Sequence, residues 1–258
     1  MDTSKWAPFD ADGQEFDFAG DRLKKAWAKL HAGDVEPFPN NAKLVEAWRR
    51  FHEGDFAGAV SLAEEIGADA HVVANKASGI YADYLEEQDA VKQTIYQAGI
   101  SRAEAAIKRD PENPNAHYFH AYLLGRYSQS ISIAKALSQG LGGKIRKSLD
   151  RGLELAPNHA EAHTAMGLYH AEVISKLGKL VGSMSYGASA DQSVEHFEEA
   201  IRLSNAPIAW IEYGNGLYLL FGDKRVDDSN AAYEKAAKMK PLDAMQALDI
   251  GYARSSMA

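Results

Sequence analysis

AIKRDPENPNAHYFHAYLLG, Ala106 to Gly125, returns in altered form as GLELAPNHAEAHTAMGLYH, Gly152 to His170. In both copies a small residue and an aliphatic one (Ala106 and Ile107, Gly152 and Leu153) close a helix. A proline stands four residues after the aliphatic (Pro111, Pro157), and an Ala-His pair (Ala116 and His117, Ala162 and His163) opens the next helix. Neither proline continues the helix before it, because each lacks an N–H and its ring clashes with a carbonyl one turn back. Asn113 before Pro114 reads as an N-cap and first helical residue, and Asn158 with Glu161 as a capping box. A unit of helix, break and helix cannot bury its apolar face alone, so its repetition predicts a stacked, all-α array.

The pattern resembles the tetratricopeptide repeat, in which small residues sit where two helices cross and a proline separates repeats. Gly167, Ala165, Gly152 and Pro157 carry the resemblance in one copy, and Ala121, Ala106 and Pro111 in the other. A further copy lies in Tyr213 to Asp223 with Ala231 to Pro241, where Tyr233, Ala236, Ala237 and Pro241 fall at the expected separations. A weaker one occupies Ser193 to Ser204, with Asn205 in the proline's place. The resemblance implies a right-handed stack of helical hairpins whose first helices line a groove. It speaks to architecture and not to function.

The period departs from the repeat's usual length of about 34 residues. Pro111 to Pro157 is 46 residues, Pro157 to Asn205 is 48, and Asn205 to Pro241 is 36. Helical spacing continues through Tyr127, Ile131 and Ala134 in the first long repeat. In the second it continues through Met166, Tyr169, Val173, Leu177, Leu180 and Val181. The expectation is therefore two overlong inner-face helices, the first ended by Gly140, Gly142 and Gly143. Ser189 with Gln192 restarts the chain after Gly187 as a capping box. With these features, Pro111 to Leu203 resembles the regulator of microtubule dynamics family and is similar to the helical T component of tripartite periplasmic transporters. The first resemblance implies a tethering or microtubule-associated binding body, and the second a ligand-handling subunit.

Residues 1–20 place Trp6, Phe9, Phe16 and Phe18 among acids without helical period, as an arm that lays its aromatics on the body. AWAKLHAGD (Ala26 to Asp34) and AWRRFHEGD (Ala47 to Asp55) echo each other, and each predicts a helix closed by a left-handed glycine. Pro37 and Pro39 mark a linker between them. The expected division is residues 1–40 as arm and packing helix, and 41–258 as the repeat body.

Composition narrows the function classes. A net charge of -8 disfavours nucleic acid as a partner, since phosphate affinity needs clustered Lys and Arg. The absence of cysteine excludes disulfides, thiolate metal sites and thiol nucleophiles. No run of 18 apolar residues predicts membrane insertion, and no apolar leader marks the first residues, so a cytoplasmic location is expected. Nine histidines include His117, His120, His159, His163 and His170, but the HExxH arrangement is absent, and no metal or catalytic residue is expected. Gly140 to Lys144 fails the Walker pattern at Ser138 and Ile145. No cofactor or enzymatic activity is predicted.

Tyr118, Tyr122, His163, Tyr169 and His170 are the candidate binding residues on inner-face helices, within an aromatic series that elsewhere serves as core. Between Arg126 and Leu180 there are eight Lys and Arg against four Asp and Glu. Lys144, Arg146 and Lys147 there fall at a helix start, where cations are unfavourable, so they are the candidates for an anion or an acidic partner segment. Side chains paired with Asp150 or Glu154 are the alternative reading of that cluster. The functional expectation is a non-enzymatic scaffold holding a peptide or partner protein in its groove. The alternative is a carrier or sensor of a small apolar or anionic molecule. An open trough favours the first and a closed apolar cavity the second.

Overall fold

Asn113 Oδ1 accepts the N–H of Ala116 at 3.0 Å, with Pro114 as first helical residue, so the quoted break is built as the sequence predicts. At the second break the cap is instead His159, whose Nδ1 accepts the N–H of Ala162 at 3.1 Å. Glu161, expected to close a capping box there, turns away to an ammonium group described below. Ser189 forms half of its expected box: its Oγ accepts the N–H of Gln192, but its own N–H goes to His170 Nδ1 and not to Gln192.

The computed structural model describes residues 2–10 and 13–257. The described residues form α1 (Arg22–Leu30), α2 (Ala42–Glu53), α3 (Phe56–Ile66), α4 (His71–Tyr84), α5 (Asp89–Arg109), α6 (Pro114–Gln129), α7 (Ile133–Ser138), α8 (Leu141–Leu155), α9 (Ala160–Leu177), α10 (Lys179–Tyr186), α11 (Ala190–Leu203), α12 (Pro207–Phe221), α13 (Val226–Ala237) and α14 (Ala244–Ser255), and no strand. The hairpins are α2/α3, α4/α5, α6/α8, α9/α11 and α12/α13. Each second helix packs on the first helix of the next pair. The fold is an all-α, tetratricopeptide-like helical repeat.

Two helix crossings repeat one device. Ser193 Oγ donates to the carbonyl of Gly167 at 2.7 Å, and Ser229 Oγ to the carbonyl of Gly214 at 2.8 Å. Four residues after each serine an aromatic ring lies on the glycine. A Cβ on Gly167 would stand 2.9 Å from Phe197, and one on Gly214 2.9 Å from Tyr233. Phe197 is fully buried, so it has no room to yield.

Three expectations change. The overlong helices are each broken: α6 stops at Gln129 and α9 at Leu177, and the extra residues form the short helices α7 and α10. Gly178, at φ 79°, separates α9 from α10, which explains why the apolar spacing runs on while the axis does not. Gly140, at φ 63°, starts α8, and Gly142 and Gly143 lie inside that helix. In the echoed segments, Gly54 is the left-handed cap, at φ 93°, but Gly33 is not. Gly33 is small for another reason, since a Cβ there would meet the Glu161 side chain at 3.1 Å.

The aromatics of the N-terminal segment lie on the hairpins. Trp6 stacks on Tyr81 at 3.9 Å, Phe9 meets Phe56 edge-on, and Phe18 meets His52. At the other end α14 reaches back to the start of the stack. Asp243, its N-cap, accepts from His52 Nδ1 at 2.7 Å, and Asp249 accepts from the Tyr84 hydroxyl at 2.5 Å.

Replacing Gly167 by Leu forces the Phe197 ring out of place and costs about 1–3 kcal/mol. Thermal denaturation should show a fall of about 2–4 °C per kcal/mol lost. An unchanged midpoint would mean that Gly167 is not at the crossing.

Candidate functional site

A cation buried at one end of the inner face organises the site. Lys76 of α4 is 4% exposed and donates to Asp34 at 2.6 Å and to Glu161 at 2.7 Å. Two carboxylates on one ammonium offset a desolvation cost that a single partner often leaves unmet. Asp34 comes from the turn after α1, and its other oxygen meets His31 Nδ1 at 2.8 Å. His31 Nε2 lies 3.2 Å from His52 Nε2, and His52 Nδ1 reaches Asp243. Burial alone would raise the Asp34 carboxyl, but the charges of His31 and Lys76 hold it well below the usual carboxylate range. Val35, at φ 48°, lets the chain turn so that Asp34 and Glu36 both enter, and Glu36 accepts from Asn115 Nδ2 at 2.6 Å.

With that end filled by the turn at residues 31–36 and with α14 laid across from α12 and α13 to α2, the inner face holds a half-open chamber of 360 Å³. Its polar end is Lys76, Glu161 and Tyr118. Its walls are apolar, including Ile80, Phe119, Leu141, Ile145, Ala165, Leu168, Val173 and Met245. Ile131, Ile133 and Leu137 of the α7 region and Tyr186 of α10 also line it. A second cavity of 540 Å³ adjoins it and shares Asp83, Tyr84, Arg126 and Glu212. At that waist Arg126 pairs with Asp83 at 2.8 Å and Glu212 at 3.3 Å. These two carboxylates hold the guanidinium protonated against the effect of its burial.

Of the residues singled out from sequence, Tyr118, Tyr122 and Tyr169 line the chamber. His163 and His170 lie instead between α9 and α11. His163 Nε2 donates to the carbonyl of Pro157 at 3.0 Å, as His117 Nε2 does to that of Pro111 at 2.9 Å, so the paired histidines pin equivalent repeat turns. His163 Nδ1 meets His196 Nδ1 at 2.8 Å, and His170 Nδ1 accepts the N–H of Ser189 at 3.2 Å. Lys144, Arg146 and Lys147 do not line the chamber, and Arg146 Nε pairs with Asp150 at 2.8 Å one turn along α8. Among the described residues no group of three or more His, Asp or Glu is placed to hold a metal ion. No described helix is long and apolar enough to cross a membrane.

The family model described as regulator of microtubule dynamics protein 1-3 matches residues 56–245, from the start of α3 into the start of α14. The chain belongs to this family. It is 26% identical over 119 residues to the rat regulator of microtubule dynamics protein 3, covering 45% of this chain and 25% of that protein. It is 24% identical over 131 residues to the bovine protein of that name, covering 48% of this chain and 27% of the relative. The matched stretch thus spans about a quarter of the length of these relatives. The fold is similar to that of a thermophilic TPR protein of Thermus thermophilus, with a TM-score of 0.58 at 16% identity over 83% of this chain and 97% of that one. The family match takes in Lys76, Arg126 and Glu161, whereas His31, Asp34, His52 and Asp249 lie outside residues 56–245.

The buried end has a pH signature. Burial, helped by the charge of Asp34, pushes the Glu36 carboxyl up to about 8 from an ordinary 4.5, against the Asn115 hydrogen bond. The folded state therefore holds a proton that the unfolded chain releases near 4.5, and this group's stabilisation falls as pH rises from there to about 8. His159, His170 and His196, lowered to about 4 by burial, act in the acid range and are common to wild type and variant. Urea denaturation should find Glu36→Gln more stable than wild type at pH 8, with the gain fading toward pH 4.5. A difference independent of pH would refute the assignment.

Proposed function

We propose that this protein is a non-enzymatic helical-repeat scaffold whose half-open inner chamber holds a small, largely apolar ligand. One observation carries the reading. The inner face of the array is occupied at one end by the turn at residues 31–36 and spanned by α14, so an apolar chamber of 360 Å³ stands where an open repeat array has a trough. A cavity of this size, with apolar walls and a few convergent polar groups, suits a small molecule better than a peptide. The geometry thus favours the carrier or sensor over the groove that holds a peptide. Repeat fold and family both support an interaction scaffold in the broader sense.

A partner protein has support at a different place. Ile133 and Leu137 of α7 and Leu180, Val181 and Met184 of α10 are exposed, Leu180 by 73% and Met184 by 79%. Neither short helix packs deeply: α7 buries no side chain, and α10 buries only Gly182. Ile133 and Leu137 of α7 and Tyr186 of α10 also line the chamber, so a partner docking on these helices would sit beside it.

The test uses diphenylhexatriene, a neutral apolar fluorophore. Saturable, single-site fluorescence enhancement is expected, and Ala165→Phe, which fills the chamber from its wall, should reduce it at least tenfold while circular dichroism is unchanged. No enhancement, or equal enhancement in the filled variant, would remove the chamber as a binding site.

A further inference from the structure

We propose that the ligand of the chamber carries a protonated amine on its apolar body, and that Asp249 is the residue that receives it. This rests on the chamber being a ligand site and goes further by naming the polar group. Asp249, on α14, lines the chamber and is 1% exposed. Its Oδ1 accepts from the Tyr84 hydroxyl, but its Oδ2 has no hydrogen-bond partner. A buried carboxylate oxygen left unpaired costs stability, and protonating it only replaces an orphan acceptor with an orphan donor. A donor brought by a ligand satisfies it.

The cations around the chamber explain why that donor is positively charged and why an anion is excluded. Lys76 is already shared by Asp34 and Glu161, Arg126 by Asp83 and Glu212, and Lys176 pairs with Glu172 at 2.6 Å. An incoming anion meets no cation without a carboxylate, and it faces Asp249, Glu161 and Glu212 as well. An incoming ammonium meets a carboxylate to which no side-chain cation is bonded, in a setting where water screens little. This replaces the anionic ligand considered from the sequence.

The same arrangement makes binding depend on pH. Burial first, and then the charges of Asp243, Glu161 and Glu212, raise the Asp249 carboxyl to about 7, with the Tyr84 hydroxyl opposing them. The groups facing it are Lys76, Asp83 and Tyr84 from α4, Arg126 from α6, Glu161 from α9, Glu212 from α12 and Asp243 at the head of α14. Below about pH 7 an ammonium must displace the Asp249 proton, so its affinity rises with pH and levels off above that value.

Calorimetry with decylamine, decan-1-ol and decanoate, each below its micellar concentration, tests this. At pH 8 decylamine should bind at least tenfold tighter than the other two, and its affinity should drop about tenfold by pH 6 while that of decan-1-ol stays level. Asp249→Asn should reduce decylamine to the affinity of decan-1-ol and leave decan-1-ol unchanged. The pH series on wild type gives the answer even if the variant folds poorly. Decan-1-ol binding as tightly as decylamine, or decanoate binding tighter, would overturn the amine assignment and leave the chamber standing. If none of the three binds, the chamber itself falls and this inference with it.

Discussion

The Lys76 ammonium, held between Asp34 and Glu161, is the contact on which the arrangement of this molecule depends. It joins the turn after α1, the first helix of one hairpin and the first helix of another two hairpins on. A charge so deep is retained only when it is well partnered: removing Lys76 leaves two buried carboxylates without their cation, and removing either carboxylate leaves the ammonium with a single partner. His31 and His52 extend the chain of contacts to Asp243. Both Nδ1 atoms face carboxylates and therefore donate. The Nε2 pair at 3.2 Å is then a hydrogen bond only when one of those two nitrogens also carries a proton. Through these residues the beginning and the end of the array are fastened to each other.

That fastening changes what a helical repeat does. Hairpins of this kind stack neighbour on neighbour, and long-range closure is not required for their stability. Here α14 does not simply cap the last hairpin but returns to α2 and α4 through His52 and Tyr84. The turn at residues 31–36 enters from the opposite end of the chain. What remains between them is a chamber with an ion cluster at one end, Arg126 and its two acids at the waist, and two loosely packed short helices beside it. The inserted residues that lengthen two of the repeats thus border the chamber instead of deepening an open groove.

The repeat itself is legible in the sequence because its signals are local. Pro111 and Pro157 act through their own backbone, Asn113 and Ser189 by capping an N–H three residues on, and Gly167 through a crossing that any such repeat must make. The chamber is legible only in part. Tyr118, Tyr122 and Tyr169 follow from inner-face position, but Lys76, Asp34, Arg126 and Asp249 sit in helices or turns where a charged residue reads as solvated surface. Their burial is decided by contacts 42, 85 and 165 residues apart in the chain, which no local pattern encodes. One trace is present. The echo that places Trp27 before His31 and Trp48 before His52 also marks the two histidines that meet, although locally it reads as two helix ends. The breaks in the inner helices escape the pattern because apolar spacing survives an interruption such as Gly178.

Closure of the inner face by the chain's own ends is the central claim, and amide hydrogen exchange on the unmodified protein tests it most directly. Protection is expected to be as strong in α14 from Ala247 onward, around Asp249, as in α4 and α6, because opening α14 exposes the His52–Asp243 and Tyr84–Asp249 contacts together. Exchange of α14 within seconds under conditions that keep α4 and α6 protected would show that α14 is not fastened to α2 and α4, and the account would be wrong.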